Sequence, residues 1–363
     1  SFDLSTASLI GQGEITSGVE AKVEVHVLDL YNRNPTSSDD RIFVREAWVS
    51  FGRHVAPFEP VEGFTGYALA GLAPRFSKQL TRRLESYGLW GTAVGRFEQP
   101  QIQVGGTLGP NVYFRGMVGN GNPLFFRDPN ALAGDNGTPE RVPGNVHPIY
   151  QSGFPILYDA KPTDLNFRGR FEWGAGIGAR IGRGERASAE ALAWYFARTL
   201  ADSVALRGTF YSGDLKLLEF GFPLPVSGNK KHEFGVNLEG KAGGGHLFGQ
   251  YVSQDIAGLK RDGIEAELAY RIKLNGLFLL GESPVGNWIQ PAFRASTINN
   301  KFVTPLQYPG PSVGWDWRKY DFGLRFGIVR DVDLTAEYAL NVVLTRLGTL
   351  HPNETLVTLR VGF

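Results

Sequence analysis

The chain has 363 residues, a formal net charge of +1 and no cysteine. That excludes disulfides, thiolate metal sites and cysteine nucleophiles, and it fits an oxidising compartment where a stray thiol is a liability. With charge so balanced, any electrostatic preference must come from where charges sit. No run approaches the roughly eighteen consecutive apolar residues of a transmembrane helix, so a membrane could be crossed only by a closed barrel. The 47 Gly and 21 Pro suit many short strands and turns, and 25 Phe, 13 Tyr and 7 Trp are enough for aromatic girdles at two interfaces. No signal peptide is visible, and the first residue, Ser1, reads as a processed or truncated start.

Phe2 to Ile10 reads as a weak strand followed by a Gly-rich turn. From Val19 to Leu30 the pattern is clear: Val19, Ala21, Val23, Val25 and Val27 share one face, with Glu20, Lys22, Glu24 and His26 on the other. Asn32 to Asp40 is a loop by composition, and strands follow at Ile42–Phe51 and Phe64–Leu72. Next, Arg75, Lys78 and Arg82 are spaced i, i+3, i+7, and Phe76, Leu80 and Leu84 are spaced i, i+4, i+8. That spacing predicts a short amphipathic helix with a basic face. Two placements are open. It folds into the bore with its cations in the water path, or it lies solvated on the rim.

Strands resume at Gln101–Leu108 and Val112–Val118 around a Gly109–Pro110–Asn111 turn. Asn120 to Pro162 is a long Gly/Pro/Asn/Asp interval without periodicity, and loops of that length are functional or disordered. Alternation returns over Asp164–Trp173, with Arg168, Arg170 and Glu172 inward, and continues at Ile177–Ile181. Ala189–Thr199 has helical propensity but is read as a strand because its neighbours are strands. Further strands are expected at Ser203–Tyr211, around Phe234–Leu238, at His246–Ser253 after a Gly243–Gly245 turn, at Ile264–Ile272 and at Ile289–Ala295.

The last forty-five residues or so carry the plainest pattern. Tyr320, Phe322, Leu324, Phe326 and Ile328 alternate with Lys319, Asp321, Gly323, Arg325 and Gly327, a break falls at Asp331, and two more alternating runs reach Phe363. Alternation alone would suit a soluble sheet with one wet face. Strands of about ten residues, apolar on one side and charged on the other, are what an outer-membrane barrel requires. The sequence therefore predicts an all-β, transmembrane antiparallel β-barrel: a single domain over 1–363 with an inserted pore-constricting loop at 73–88 and a long loop at 120–162. The strand count comes out odd. Single-chain bacterial barrels have even numbers, so 16 or 18 strands are expected.

In this frame Val44–Arg45–Glu46–Ala47–Trp48–Val49, Ala73–Pro74–Arg75–Phe76 with Arg82–Arg83–Leu84–Glu85, and Phe114–Arg115–Gly116–Met117–Val118–Gly119–Asn120–Gly121–Asn122 fall in order. So do Asp164–Phe171, Arg261–Arg271 and the final three strands. Together, over roughly two-thirds of the chain, they resemble the phosphate-selective porin O/P family of Gram-negative outer membranes. The interval 120–162 is longer than that family's usual connection, Ala187–Tyr211 adds a hairpin, and Ser1 falls near the family's second strand. The resemblance implies a constriction loop carrying Arg75, Lys78, Arg82 and Arg83. It also implies a setting of outer-membrane lipid and lipopolysaccharide, small hydrophilic or anionic solutes, and a homotrimer.

Inward Arg168, Arg170, Arg271, Arg294, Arg325 and Arg360 would line the pore wall. Guanidinium rings favour anions. The competing reading is that they pair with Glu172, Glu239, Glu265, Glu267 and Glu337 and line an unselective pore. No catalytic site, metal site, cofactor or nucleic-acid surface is expected: the six His are scattered, and Gly176–Ile177–Gly178 with Gly182 has no strand–turn–helix context. The expected function is a passive diffusion channel. The alternative is a scaffold barrel with a plugged lumen in an envelope complex.

Overall fold

The computed structural model describes residues 6–29, 43–53, 63–77, 83–86, 88–90, 98–121, 124–125, 156–157, 171–182, 187–200, 224–280, 283–306 and 314–362. Among them there is no helix. The strands are β1 (Thr6–Thr16), β2 (Val19–Asp29), β3 (Phe43–Gly52), β4 (Phe64–Pro74), β5 (Glu98–Leu108), β6 (Val112–Gly119), β7 (Leu124–Phe125) and β8 (Ile156–Leu157). They continue with β9 (Glu172–Gly182), β10 (Ala187–Thr199), β11 (Lys230–Ala242), β12 (Gly245–Ile256), β13 (Leu259–Tyr270), β14 (Ile272–Lys273), β15 (Phe278–Leu280) and β16 (Ser283–Val285). The last are β17 (Trp288–Asn300), β18 (Asp316–Val329), β19 (Val332–Thr345), β20 (Gly348–Leu350) and β21 (Glu354–Val361).

Seventeen of these form one sheet, with β7–β8 and β15–β16 as separate ribbons. Every ladder is antiparallel and joins neighbours in the chain, from β1–β2 through β6–β9 and β13–β17 to β19–β21. β14 and β20 are short pieces that prolong the edges of β17 and β19. Among the described residues no ladder joins β1 to β21, and these two strands run in the same direction.

The two ends of the sheet differ. One end has tight connections: Ser17–Gly18, Gly109–Asn111, Gly243–Gly244 and Arg330–Asp331. Asp331 turns at φ 61°, a conformation that a short polar side chain tolerates. The same end also carries the longer connections after β3 and β13; the other end carries those after β2, β4, β6, β10 and β17, with a tight Ala257–Gly258 turn after β12.

Burial is inverted relative to a water-soluble protein. Along β13, Arg261, Glu265 and Glu267 are buried while Ile264 and Leu268 are exposed. The same holds for Lys319, Asp321 and Arg325 against Phe322 and Leu324 on β18, and for Gln101 and Gln103 against Ile102 and Val104 on β5. A sheet that hides its charges and shows its aliphatics is built to face hydrocarbon outside and water inside. Exposed aromatics sit at both ends of the band: Trp173 packs on Tyr195 (rings 5.4 Å apart) near the long-loop end, and Phe51, Phe64 and Tyr270 lie near the short-turn end.

Most expected strands are present, with shifts. The Gly-rich stretch after Ile10 is strand, since β1 runs through Gly11 and Gly13 to Thr16. Trp173 and Ile177 belong to one strand, β9, rather than two. Ala187–Thr199 is strand despite its helical propensity, because both its neighbours offer a full ladder. At the two ends of the helix expected after Pro74, 76–77 is a turn and 83–86 a series of bends, and its middle, 78–82, lies outside the described residues. The expected features at 32–40, 164–170 and 203–211, and all but the first residues of the 120–162 interval, lie outside the described residues.

Candidate functional site

The segment leaving β4 at Arg75 turns into the interior and is held at two places. The first hold is against β9–β11. Arg75 is buried, donates from Nη1 to Glu233 Oε1 at 2.8 Å and approaches Glu172 at 3.3 Å; Lys231 meets the same Glu172 at 3.1 Å. The Arg75 guanidinium lies 3.5 Å over the Phe196 ring, and Phe76 packs on that ring at 4.9 Å. Asn237 Nδ2 then donates to the Ser77 carbonyl at 2.8 Å.

The second hold is on β13, β17, β18, β19 and β21. The backbone N–H of Arg83 donates to Glu267 at 3.2 Å, those of Glu85 and Ser86 to Glu337 at 2.6 and 3.1 Å, and that of Trp90 to Glu265 at 2.8 Å. The Ser86 hydroxyl bonds to Glu337 and to Asp321. Arg294 donates to the Ser86 carbonyl at 2.6 Å while pairing with Asp321 at 2.8 Å and Glu267 at 3.4 Å. Glu85 pairs with Arg360, and the Trp90 indole donates to the Thr297 carbonyl at 2.7 Å. Leu84 fills a small apolar seat with Ala269 and Ala292. The amides of Arg83, Glu85, Ser86 and Trp90 are thus taken by wall carboxylates, and charge-assisted bonds of that kind are about twice as strong as neutral ones.

Glycines make the room. A Cβ on Gly323 would strike Leu84, and one on Gly88 would strike the Glu265 carboxylate. At Gly176 it would meet Phe76 at 2.9 Å. A segment that starts on β4 rests on β9–β11 and again on β13–β21, against the charged face of the sheet.

The residues expected in the constriction and on the wall divide into groups. Arg75 and Arg294 are enclosed, with ion-pair partners on the wall, and anchor the segment. Arg360 pairs with Glu85 of the segment. Arg325 grips Asp333 with both oxygens at 2.9 Å. Arg83 and Arg271 stand apart: no carboxylate of the described residues lies within ion-pair distance of either guanidinium, although Glu267 and Glu239 act on Arg83 at longer range. Arg271 instead lies over Trp288 at 4.2 Å and donates to Gln290 at 3.3 Å. Lys78, Arg82, Arg168 and Arg170 lie outside the described residues.

Of the acids expected to neutralise the wall arginines, Glu265, Glu267 and Glu337 serve mainly as acceptors for the inserted backbone, and Glu172 closes the first hold. Ser86, Trp90, Asp321 and Trp288 were not singled out by sequence reasoning. Their importance comes from contacts made across more than two hundred residues, or from a side chain that only the fold brings alongside. Among the described residues there is no cluster of His, Asp and Glu suited to a metal.

No family model matches the chain, and no curated protein matches it. Solved structures do. The outer membrane channel DcaP of Acinetobacter baumannii aligns with a TM-score of 0.53 at 13% identity, covering 98% of this chain and 84% of that one. OprB of Pseudomonas putida aligns with a TM-score of 0.52 at 12% identity, covering 97% and 86%. At these identities, what the chain shares with both is the fold, an antiparallel β-barrel sheet.

Proposed function

We propose that the protein is an outer-membrane porin: a passive diffusion channel for small hydrophilic solutes, narrowed by the segment that begins at Arg75. One observation carries this reading. The sheet is apolar outside and charged inside, and a chain segment is bolted across that charged interior, which is how a pore is narrowed without being removed. Transport needs no catalytic step; bore size and the placement of fixed charge decide what passes. Anion preference follows from Arg83 and Arg271, which have no carboxylate beside them, whereas most other inward cations are neutralised locally.

In this reading the short-turn end faces the periplasm and the longer loops face outward, next to lipopolysaccharide. Trimer formation and kinship with the phosphate-selective O/P family belong to the same proposal and rest on the sequence resemblance. The test is single-channel recording in a planar bilayer under a KCl gradient. Steady open conductance with a reversal potential displaced toward the chloride value is expected, and Arg83→Glu should move it back toward zero. Correctly folded, heat-modifiable protein that never conducts would overturn the channel and favour a scaffold barrel with a plugged lumen.

A further inference from the structure

The connection from β13 to β17 does not match the tight turns beside it. Those are small and polar, as at Ser17–Gly18, Gly243–Gly244 and Arg330–Asp331. This one runs through β14 and the β15–β16 ribbon, and between Lys273 and Glu282 it holds Leu274, Leu277, Phe278, Leu279 and Leu280 and no charge. Two strands alone make a marginal unit in water, and an apolar ribbon with open edges is an aggregation hazard. A ribbon of this composition needs a cover.

Its root shows on which side the cover lies. The Leu274 N–H donates to the Asn287 carbonyl at 2.8 Å and the Leu277 N–H to the Val285 carbonyl at 2.6 Å, so the two legs stay paired down to the ribbon. The returning leg is joined to β18, where the Gly286 N–H donates to the Ile328 carbonyl at 2.9 Å. Gly286 turns at φ 78°, and a Cβ there would meet Leu277 at 2.9 Å and Phe326 at 3.0 Å. Leu277 therefore stands beside Phe326. On β18 Phe326 belongs with Phe322 and Leu324 to the apolar outer row, whereas Arg325 and Gly327 belong to the inner one. The ribbon is rooted on the outside of the wall and not under the bore.

The apolar outer surface continues onto it. Down β13 and β14 the outward side chains Leu268, Tyr270 and Ile272 are 56%, 54% and 44% exposed, and Leu277 beyond them is 66% exposed. Arg271 and Lys273, which interrupt this stretch in sequence, belong to the inner row with Trp288. Tyr270 stands where the aromatic girdle of a barrel marks the edge of the hydrocarbon, and Ile272 and Leu277 lie past it. A partner protein seated here would leave a polar rim around an apolar centre; what adjoins Leu277 is the lipid-facing row itself.

We infer that the β15–β16 ribbon is a lipid foot, lying in the headgroup–acyl boundary of the leaflet on the short-turn side and taking phospholipid as its partner. At that depth acyl chains replace water on its aliphatic surface, while its own ladder and the wet headgroup layer satisfy its peptide groups. The foot rests on the membrane placement proposed above and extends the lipid contact to a connection outside the wall.

The chain has no cysteine, so single cysteines can be placed at will. Leu277→Cys, Ile264→Cys on the lipid face of β13 and Arg330→Cys on a tight turn of the same end are each labelled with nitrobenzoxadiazole and folded into phosphatidylcholine vesicles. Heat-modifiable mobility checks that each is folded. The vesicles carry a nitroxide either near the headgroup or near the end of the acyl chain. The label at position 277 should emit at shorter wavelength than that at 330 and be quenched about threefold more strongly by the shallow nitroxide. The label at 264 should be quenched most by the deep one. Emission and quenching at 277 equal to those at 330 overturn the foot. Short-wavelength emission at 277 without lipid quenching means a protein cover, a second copy included, and also overturns it. A label at 264 that neither nitroxide quenches is the separate failure of the membrane placement, and the foot falls with it.

Discussion

At the residue scale, the same side-chain type does opposite jobs within one interior. Arg294 is fully enclosed between Asp321, Glu267 and the Ser86 carbonyl, whereas Arg271 is exposed, lies over the Trp288 ring and donates to Gln290. Removing one partner of a buried ionic cluster strands the others, at a cost of about 3–5 kcal/mol. Arg294→Met should therefore lower the temperature at which the barrel loses its compact gel mobility, whereas Arg271→Met should leave that temperature nearly unchanged and alter ion selectivity. A single-methyl test is available at Gly323. Its Cβ would occupy the place of Leu84, so Gly323→Ala should push the segment off its seat and change unitary conductance. Overpacking of this kind costs about 1–3 kcal/mol, and retention of heat-modifiable mobility would show that the wall survived it.

At the element scale, the strands were legible and the inserted segment was only half legible. Period-two alternation marks β13, β18 and β19 almost residue by residue, because a barrel strand has two environments and the side chains must obey both. The segment after Pro74 has helical spacing at Arg75, Lys78 and Arg82, and at Phe76, Leu80 and Leu84. Nothing local says that Glu265, Glu267 and Glu337, nearly two hundred residues and more downstream, will claim the amide hydrogens of Arg83, Glu85, Ser86 and Trp90. For the same reason the wall arginines looked alike in sequence: whether one faces water or grips the segment depends on where the segment lands. The glycines at 88, 176 and 323 were visible, but as glycines in a Gly-rich chain and not as seats. Glu337 is the sharpest probe of this element, since it accepts from two backbone amides and one hydroxyl of the segment. Glu337→Ala should free that end, giving larger and noisier single-channel currents than the wild type in the same salt.

At the scale of the whole molecule, the inverted burial sets what the outside will tolerate. Ile264 is 57% exposed near the middle of β13 and faces lipid in this fold. A charge at the bilayer midplane of a barrel costs about 2–4 kcal/mol, so Ile264→Arg should reduce the fraction of chain that folds into lipid vesicles. A change of equal charge at Gln250, on the lumen face of the neighbouring strand, should reduce it less.

The bolted segment also bears on the order of assembly. It leaves the sheet after the fourth strand, yet its seats on Asp321 and Glu337 and its contact with Arg360 belong to the last strands of the chain. Until those strands arrive, the backbone amides at 85 and 86 have no acceptors there. Contacts of such long sequence separation form late and slow folding. The inserted segment is thus a latch that closes only when the C-terminal strands dock, and on the channel reading proposed above permeability is set in that same event.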